Sequence, residues 1–204
     1  MTRAAAELRT ALDGTADSSA DPAADPGLVR SVLRHHAKGV TVITAGTRQP
    51  VGFCATSLTS LSLDPPLVSF TVGLHTSSWP TVEQAGHVMV HLLADDQEDL
   101  AYCFARSAAV AAKFGPHTAW HRGPHGLPVL DDVLGWLLVA IVLRMPIADH
   151  ALVIGRVTGA GHVGDRAPLV RHDGDFVRLE QVDGGQRRRS DHARPAQRHV
   201  REQQ

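Results

Sequence analysis

Short stretches of β-branched and alternating apolar residues dominate the chain between residues 28 and 180. The clearest covers 40–44 and reads VTVIT between Gly39 and Gly46, a composition that suits a half-buried pleated surface. The same pattern predicts further strands over 51–57, 67–72, 87–93, 134–143, 151–157 and 176–179. The run over 134–143 has about half the length that a membrane-spanning helix needs, so it is interpreted as a buried strand.

Helical spacing is rarer. It predicts helices over 28–37, 77–86 and 95–105, where Ser, Pro and acidic residues stand at the expected starts. Six or seven short strands with few helices predict a mainly β domain with covering helices, built as a closed or split antiparallel barrel. The strands do not alternate regularly with helices, and no G-x-G-x-x-G follows a strand, so a Rossmann sheet is not expected.

The pattern also divides the chain into three parts. Residues 1–27 are rich in Ala and Asp without an apolar targeting core, and they are expected to form a disordered leader. Residues 28–180 form the domain. Residues 181–204 are Arg-rich with few large apolar side chains, and they are expected to be a disordered tail.

Composition excludes some classes of protein. The chain has 204 residues, 43% of them hydrophobic, which is enough for a core, and a formal net charge of −1. A balanced charge argues against a nucleic-acid binder, and no segment is typical of a membrane protein. Two cysteines, Cys54 and Cys103, cannot build a disulfide scaffold, so reduced thiols in a cytoplasmic protein are expected.

The histidines, 13 in all, raise the question of a metal site. Three of them, His117, His121 and His125, are four residues apart, which would align them on a helix. Pro116 and Pro124 exclude a continuous helix there, so no metal site is predicted.

A run of hydroxyl side chains is the first candidate for chemistry. Five fall within residues 56–62, ahead of Asp64-Pro65-Pro66. Short donors and backbone N–H groups in a non-helical loop suit a phosphate, and small residues such as Ala55 let a planar ring lie against a strand edge. The alternative is a connection whose hydroxyls cap turns, and spacing alone leaves both open.

Eight segments in order give the chain its resemblance to the flavin reductase family. They are GVTVIT (39–44), GFCATSLTSLSLDPPLV (52–68), HTSSWP (75–80), HVMVHLLADDQ (87–97), AKF (112–114), GLPVL (126–130), ADH with VIGRV (148–157) and PLV through FVRL (168–179). Each motif alone is weak, whereas the series at family spacing is specific.

The resemblance implies an FMN-binding split β-barrel, Greek-key-like, that works as a homodimer with flavin near the subunit interface. It implies that NADH or NADPH reduces FMN or FAD by hydride transfer to the flavin N5, and that reduced flavin passes to a partner monooxygenase. The choice between NADH and NADPH, the choice between FMN and FAD, and the identity of the oxygenase stay open. The alternatives are a non-catalytic or degenerate barrel that binds flavin or haem, and an oxidase or oxygenase on the same barrel.

Site residues follow from the matched positions. The resemblance implies that His150 serves the nicotinamide, since an imidazole can hydrogen-bond the carboxamide or donate a proton. It implies flavin contacts along one ring edge, along the ring and ribityl chain, and near the phosphate. These are, in that order, Thr41, Val42, Ile43 and Thr44; Ala55, Thr56, Ser57 and Leu58; Ser60 and Ser62. His91 is a further flavin contact, and Lys113 is a candidate cation near a phosphate, with a solvated surface lysine as the alternative.

The chain departs from the family pattern at four of these places. His91 replaces the usual Asn, Ala148 the Gly before Asp-His, Phe176 a Tyr and Cys54 a Thr. If position 148 adopts a positive φ, alanine costs about 1 kcal/mol there and could shift His150. A 2′-phosphate on the nucleotide would call for an arginine, for which Arg156, Arg171 and Arg178 are candidates.

Overall fold

The structure, a computed structural model, describes residues 23–106, 110–162 and 165–179. The predicted tail over 181–204 and most of the predicted leader lie outside the described residues. The leader was expected to extend to residue 27, but helix α1 already begins at Pro26, because Asp25 caps it by accepting a hydrogen bond from the Leu28 N–H at 2.8 Å.

Strands outnumber helices in the described residues. The helices are α1 (Pro26–Arg34), α2 (Trp79–Gln84), α3 (Glu98–Ala105) and α4 (Val110–Lys113). The strands are β1 (Lys38–Gly39), β2 (Thr41–Ala45), β3 (Val51–Ala55), β4 (Thr59–Leu63), β5 (Pro66–Gly73), β6 (His87–Leu92), β7 (Trp120–Arg122), β8 (Pro128–Leu130), β9 (Gly135–Ile147), β10 (His150–His162), β11 (Val170–His172) and β12 (Asp175–Val177). The predicted mainly β fold with covering helices is confirmed.

The main sheet has seven antiparallel strands in the order β3-β2-β6-β9-β10-β5-β4. Its two end strands are not paired with each other, but residues 56–58 connect them. In that turn the Ser57 hydroxyl oxygen accepts a hydrogen bond from the Thr71 N–H of β5 at 2.9 Å. The sheet therefore curls round without closing, as in the predicted split barrel.

One apolar cluster fills the interior of the curled sheet. Its members alternate along their strands, as a half-buried sheet requires, and they include Ile43, Phe70, Val72, Val88, Val90, Val139 and Val153. Trp79 of α2 packs against this cluster from one end. Each large side chain buried in this way contributes about 1.5–3 kcal/mol, so the interior holds the strands in register.

A second cluster joins the sheet to α3 and to the small sheet β1-β11-β12. Val42, Leu93, Phe104, Leu130 and Leu169 are its large buried members. Phe104 of α3 lies so close to Gly52 of β3 that a Cβ there would be 2.6 Å from the ring. Residue 52 must therefore lack a side chain for α3 to pack on the sheet.

The β9–β10 hairpin is longer than its sequence pattern predicts. The predicted strand over 134–143 covers the first part of β9, and the predicted strand over 151–157 lies in the first part of β10; both strands have 13 residues, and Ala148-Asp149 joins them. The remaining parts, 144–147 and 158–162, lack continuous apolar residues because one face of them points to solvent. Bulges between Ile154 and Gly155 and between Val157 and Gly159 also interrupt the alternation. The hairpin carries the predicted catalytic histidine at its turn.

Candidate functional site

The hydroxyl-rich segment is half turn and half strand. The interpretation of the whole segment as a connection between strands is wrong in its second half, because Thr59–Leu63 forms the edge strand β4. Ser60 and Ser62 pair with Val68 and Leu67, with a bulge between them. Ser60 is exposed and Ser62 is half-buried, so both hydroxyls are available beside the turn.

The turn itself presents small, partly covered side chains. Ala55 is buried at the end of β3, and Thr56, Ser57 and Leu58 are half-buried. Ser57 already accepts from the Thr71 N–H, which leaves its O–H free to donate. The structure thus brings together the predicted residues of 55–62 along one edge of the sheet.

The four predicted contacts on β2 do not belong to this edge. Thr41, Val42, Ile43 and Thr44 are all buried, and β2 is paired with β3 on one side and β6 on the other. The hydroxyls of Thr41 and Thr44 donate to the carbonyls of Ala55 and Pro128. In this structure the side chains and backbone groups of residues 41–44 are thus occupied within the sheet, and their role along a flavin edge stays a prediction.

His91 is likewise a core residue. It is fully buried in β6, its Nδ1–H donates to the Val42 carbonyl at 3.0 Å, and its Nε2 accepts from the Leu130 N–H at 3.1 Å. Burial lowers the pKa of His91 to about 4, although the bond to Val42 opposes that shift. Both ring nitrogens therefore have partners within the protein, which gives His91 a structural role, and its flavin contact stays a prediction.

Lys113 is also turned inward. Its Nζ donates to the Gly52 carbonyl at 3.0 Å, and only 6% of the residue is exposed. Burial lowers the pKa of this ammonium, with the nearby Cys103 opposing the shift. This cation joins α4 to β3 in the structure, and its contact with a phosphate stays a prediction.

His150 is exposed at the first position of β10. Its Nδ1–H donates to the Asp149 carboxylate at 2.8 Å, and about half of its side chain is accessible (51%). That bond lowers the pKa of the Asp149 carboxyl, which therefore stays ionised and fixes the Nδ1–H tautomer. Nε2 is left as the ring nitrogen that can meet a ligand.

Register places His150 on the same stretch of sheet as the turn. His150 pairs with Gly73 of β5, and Leu152 pairs with Thr71, whose N–H is bonded to Ser57. Two residues along a strand span about 7 Å, so His150 and the 56–58 turn lie within reach of one bound ring system. No sequence motif links them, since His150 and Ser57 are 93 positions apart in the chain.

The surface between these groups suits a flat ligand. Ser69, Thr71 and Gly73 alternate on the outer face of β5, beside His150, Leu152 and Ile154 of β10. Gly73 lies next to the His150 ring: a Cβ there would be in ordinary van der Waals contact with Nε2, at 3.9 Å. Small polar residues flanked by apolar ones fit an isoalloxazine ring and its ribityl chain, with hydroxyl and amide donors at its rim.

The three remaining departures have plain structural outcomes. Ala148 has φ 52°, so the condition under which alanine is costly at this position is met. Phe176 contacts the Tyr102 ring edge-on, with the ring centroids 4.9 Å apart. Cys54 packs half-buried against the second cluster and not on the candidate flavin surface.

Sequence reasoning missed a basic cavity beside the turn. It has a volume of about 720 Å³ and is lined by Ala24, Pro26, Val29, Arg30, Leu33, Arg34, His36, Lys38, Thr56, Arg171, Asp173 and Gly174. Of these, only Thr56 was predicted as a site residue, and Arg171 was one of three candidate arginines. The cations are spread over α1, β1 and β11, so only the folded chain brings them together.

Comparison with known families gives one match over most of the domain. Residues 33–180 match the model of the flavin reductase like domain. No helix in the described part of the chain has the length and apolar character to cross a bilayer.

Two curated relatives illustrate the similarity. An NADH:FMN oxidoreductase from Rhodococcus qingshengii is 42% identical over 158 residues, which cover 74% of this chain and 81% of the relative. A flavin-dependent monooxygenase reductase subunit, HsaB, from Rhodococcus jostii is 30% identical over 159 residues, covering 74% and 76% of the two chains.

Two solved structures share the architecture. A flavin reductase domain protein from Arthrobacter superposes with a TM-score of 0.73 at 35% identity, covering 78% of this chain and 99% of the other. An NADH:FAD oxidoreductase from Streptomyces globisporus, in complex with NAD and FAD fragments, gives a TM-score of 0.73 at 28% identity, covering 80% and 100%.

Proposed function

The chain belongs to the family of flavin reductase like domains, and we propose that it is an NAD(P)H-dependent flavin reductase that supplies reduced FMN or FAD to a partner monooxygenase. The observation that carries the proposal is the Asp149–His150 pair at the hairpin turn, facing the hydroxyl-rich edge of the barrel. Relatives named NADH:FMN oxidoreductase and monooxygenase reductase subunit support the reaction and the partner.

The protein contributes positioning and electrostatics. Bound flavin supplies the hydride acceptor, and the chemistry itself belongs to the two nucleotides. Thr56, Ser57 and Leu58 would hold the ring and ribityl chain against β5, with Ser60 and Ser62 donating to phosphate oxygens. His150 Nε2 would orient the nicotinamide carboxamide, and holding two rings in contact supplies the proximity that the reaction needs.

Asp149 acts as a positioning residue for His150. An ionised carboxylate at 2.8 Å from Nδ1 sets the ring orientation and keeps Nε2 as an acceptor when the imidazole is neutral. Because Ala148 precedes Asp149 with a positive φ, the turn geometry directs this pair toward the outer face of β5.

The proposal includes a homodimer and a cytoplasmic location. Large apolar side chains are exposed on the edge strand β4, at Leu61 and Leu63, and on β9, at Val142 and Leu143. Exposed apolar patches favour association. Cys54 and Cys103 are both free thiols, which fits a reducing compartment.

The direct test mixes the purified protein with NADH or NADPH and with FMN or FAD while the nicotinamide absorbance band is followed. We expect a flavin-dependent loss of that band with at least one nucleotide. If flavin binds but neither nucleotide is oxidised, the proposal fails and the chain is a flavin-binding barrel without turnover.

A further inference from the structure

Two cations of the basic cavity are held directly opposite each other. Strand β1 pairs with β11 in the register Lys38↔Arg171. Side chains at such positions have Cβ atoms about 4.5–5.5 Å apart, and like charges there destabilise the pairing. Since β1 has only two residues, its ladder offers little to offset that repulsion. An anion bound between the two cations would neutralise this repulsion, so the pair is suited to bind one.

The cavity's own acidic residue does not neutralise this pair. Asp173 lies 3.9 Å from the Arg34 Nε, with both side chains well exposed. Within residues 23–106, 110–162 and 165–179, no carboxylate lies within 4.0 Å of the side-chain nitrogens of Arg30, Lys38 or Arg171. Arg171 instead lies over the Phe176 ring at 5.1 Å, which holds the guanidinium at the cavity wall.

Backbone geometry also shapes the wall around Arg34. Gly174 has φ +93°, and a Cβ there would lie 3.0 Å from the Arg34 Nη2. The Asp173 N–H donates to the Arg34 carbonyl at 2.9 Å, which ties the β11–β12 turn to the end of α1. The cationic wall is therefore built from two elements that are fixed to each other.

Size and lining exclude a simple counter-ion site. At about 720 Å³ the cavity lies within the range of small-molecule pockets, well above the space of one inorganic anion. Val29 and Leu33 add apolar surface beside the cations. Cations with an adjoining apolar wall suit a phosphorylated nucleoside, whose base is planar and whose phosphate is anionic.

We propose that the basic cavity binds the phosphorylated adenosine group of a dinucleotide, through Arg30, Lys38 and Arg171. The assignment rests on the proposed function, since Thr56 belongs both to this cavity and to the turn that would hold the flavin. That shared residue favours the adenylyl half of FAD, and the same phosphate chemistry could come from NADPH. The cavity thus determines which flavin and which nucleotide the enzyme prefers.

The test uses ADP as the probe, with adenosine, riboflavin and FAD for comparison, in calorimetric titrations of the full chain. We expect ADP to bind more tightly than adenosine and to compete with FAD but not with riboflavin. Lys38→Met and Arg171→Met should each weaken the binding of ADP and FAD on the order of tenfold, because a charge-assisted contact is lost. The affinity for riboflavin should be unchanged. Arg48→Met, an exposed arginine outside the cavity, is the matched control.

A melting experiment separates loss of binding from loss of folding. Because Lys38 and Arg171 repel each other, Lys38→Met should melt no lower than the wild type without ligand, yet lose the upward Tm shift that ADP produces. If Lys38→Met instead raises the KM for NADPH but not the KM for NADH, and its affinity for FAD is unchanged, the phosphate site is supported and is assigned to the nicotinamide nucleotide.

The proposal is overturned if ADP does not bind, or if Arg48→Met weakens ADP as much as Lys38→Met does. ADP binding needs no turnover, so it can succeed where the flavin reductase assay fails. Conversely, if the protein reduces flavin but does not bind ADP, the proposed function stands and this inference fails.

Discussion

At the scale of single residues, His91 shows how burial fixes a protonation state. Both ring nitrogens have partners, one carbonyl and one N–H, and only the neutral imidazole can satisfy both. A proton on Nε2 would face the Leu130 N–H, and burial already lowers the pKa of the ring to about 4.

This arrangement predicts loss of stability in acid. The unfolded chain protonates His91 near pH 6.5 and the folded chain only near 4, so stability is present above about pH 6.5 and falls as the pH drops toward 4. The loss over that window is about 3 kcal/mol, measured as the change in unfolding free energy by denaturant titration. His91→Leu should be less stable at neutral pH but should lack this part of the slope.

Thr44→Val provides the matched control for that experiment. It also removes a buried hydrogen bond, to the Pro128 carbonyl, but titrates no group. Thr44→Val should lower the free energy of unfolding while keeping the wild-type dependence of stability on pH. If His91→Leu also kept the wild-type pH dependence, His91 would not be the cause of the acid sensitivity.

Ala148 predicts a stabilising substitution. Alanine at φ 52° carries a cost that glycine avoids, so Ala148→Gly should raise the free energy of unfolding by about 1 kcal/mol. Thermal melting measures the gain. Ala160→Gly, in the regular part of the same β10 strand, should lower the melting temperature instead.

His150 predicts a defect in the nicotinamide reaction. If Nε2 serves the nucleotide as proposed, His150→Ala should lower kcat/KM for the nicotinamide nucleotide about tenfold or more while flavin affinity stays unchanged. Steady-state kinetics with each substrate varied separates the two effects. His162→Ala, at the other end of β10, is the control. If the kinetics of His150→Ala equal those of the wild type, His150 has no role in the reaction.

At the scale of elements, the β9–β10 hairpin depends on glycine at a bulge. A Cβ on Gly155 would overlap the Val139 side chain and lie 2.9 Å from the Ala140 carbonyl oxygen. Gly155→Ala should therefore cost about 1–3 kcal/mol through overpacking, measured by denaturant unfolding.

Gly159→Ala is the matched substitution on the same strand. Its Cβ would meet Leu138 at 3.4 Å, which is ordinary contact. Both variants replace a glycine of β10 by alanine, so they restrict the backbone in the same way. If they lower the free energy of unfolding equally, crowding at the bulge is not the cause of the destabilisation.

At the scale of the whole molecule, the exposed apolar residues predict association. Val142 is 62% exposed on β9, at the bulge opposite β10. The wild type should sediment as a dimer, and Val142→Lys should shift the equilibrium toward monomer by placing a charge in the contact. Thr47→Lys, exposed on the β2–β3 turn, should remain dimeric in analytical ultracentrifugation.

The linear order of residues was enough to determine the class of fold. Runs such as 40–44 and 87–92 form strands because their β-branched and alternating residues suit a sheet wherever it lies. By contrast, the positive φ of Ala148, which the resemblance raised only as a condition, was decided by the structure. The edge strand β4 was missed, because its Ser and Thr residues gain their pairing from β5 and not from their own apolar pattern.

The division between core and site was decided only by tertiary structure. Thr41 and Ser57 look alike in sequence, yet one is buried in a strand paired on both sides and the other lies in the turn between the sheet's end strands. The charge of Lys113 points inward because the Gly52 carbonyl is its partner, while Lys38 and Arg171 meet because β1 pairs with β11. Composition and spacing specify local structure, whereas exposure and charge pairing depend on which distant strands become neighbours.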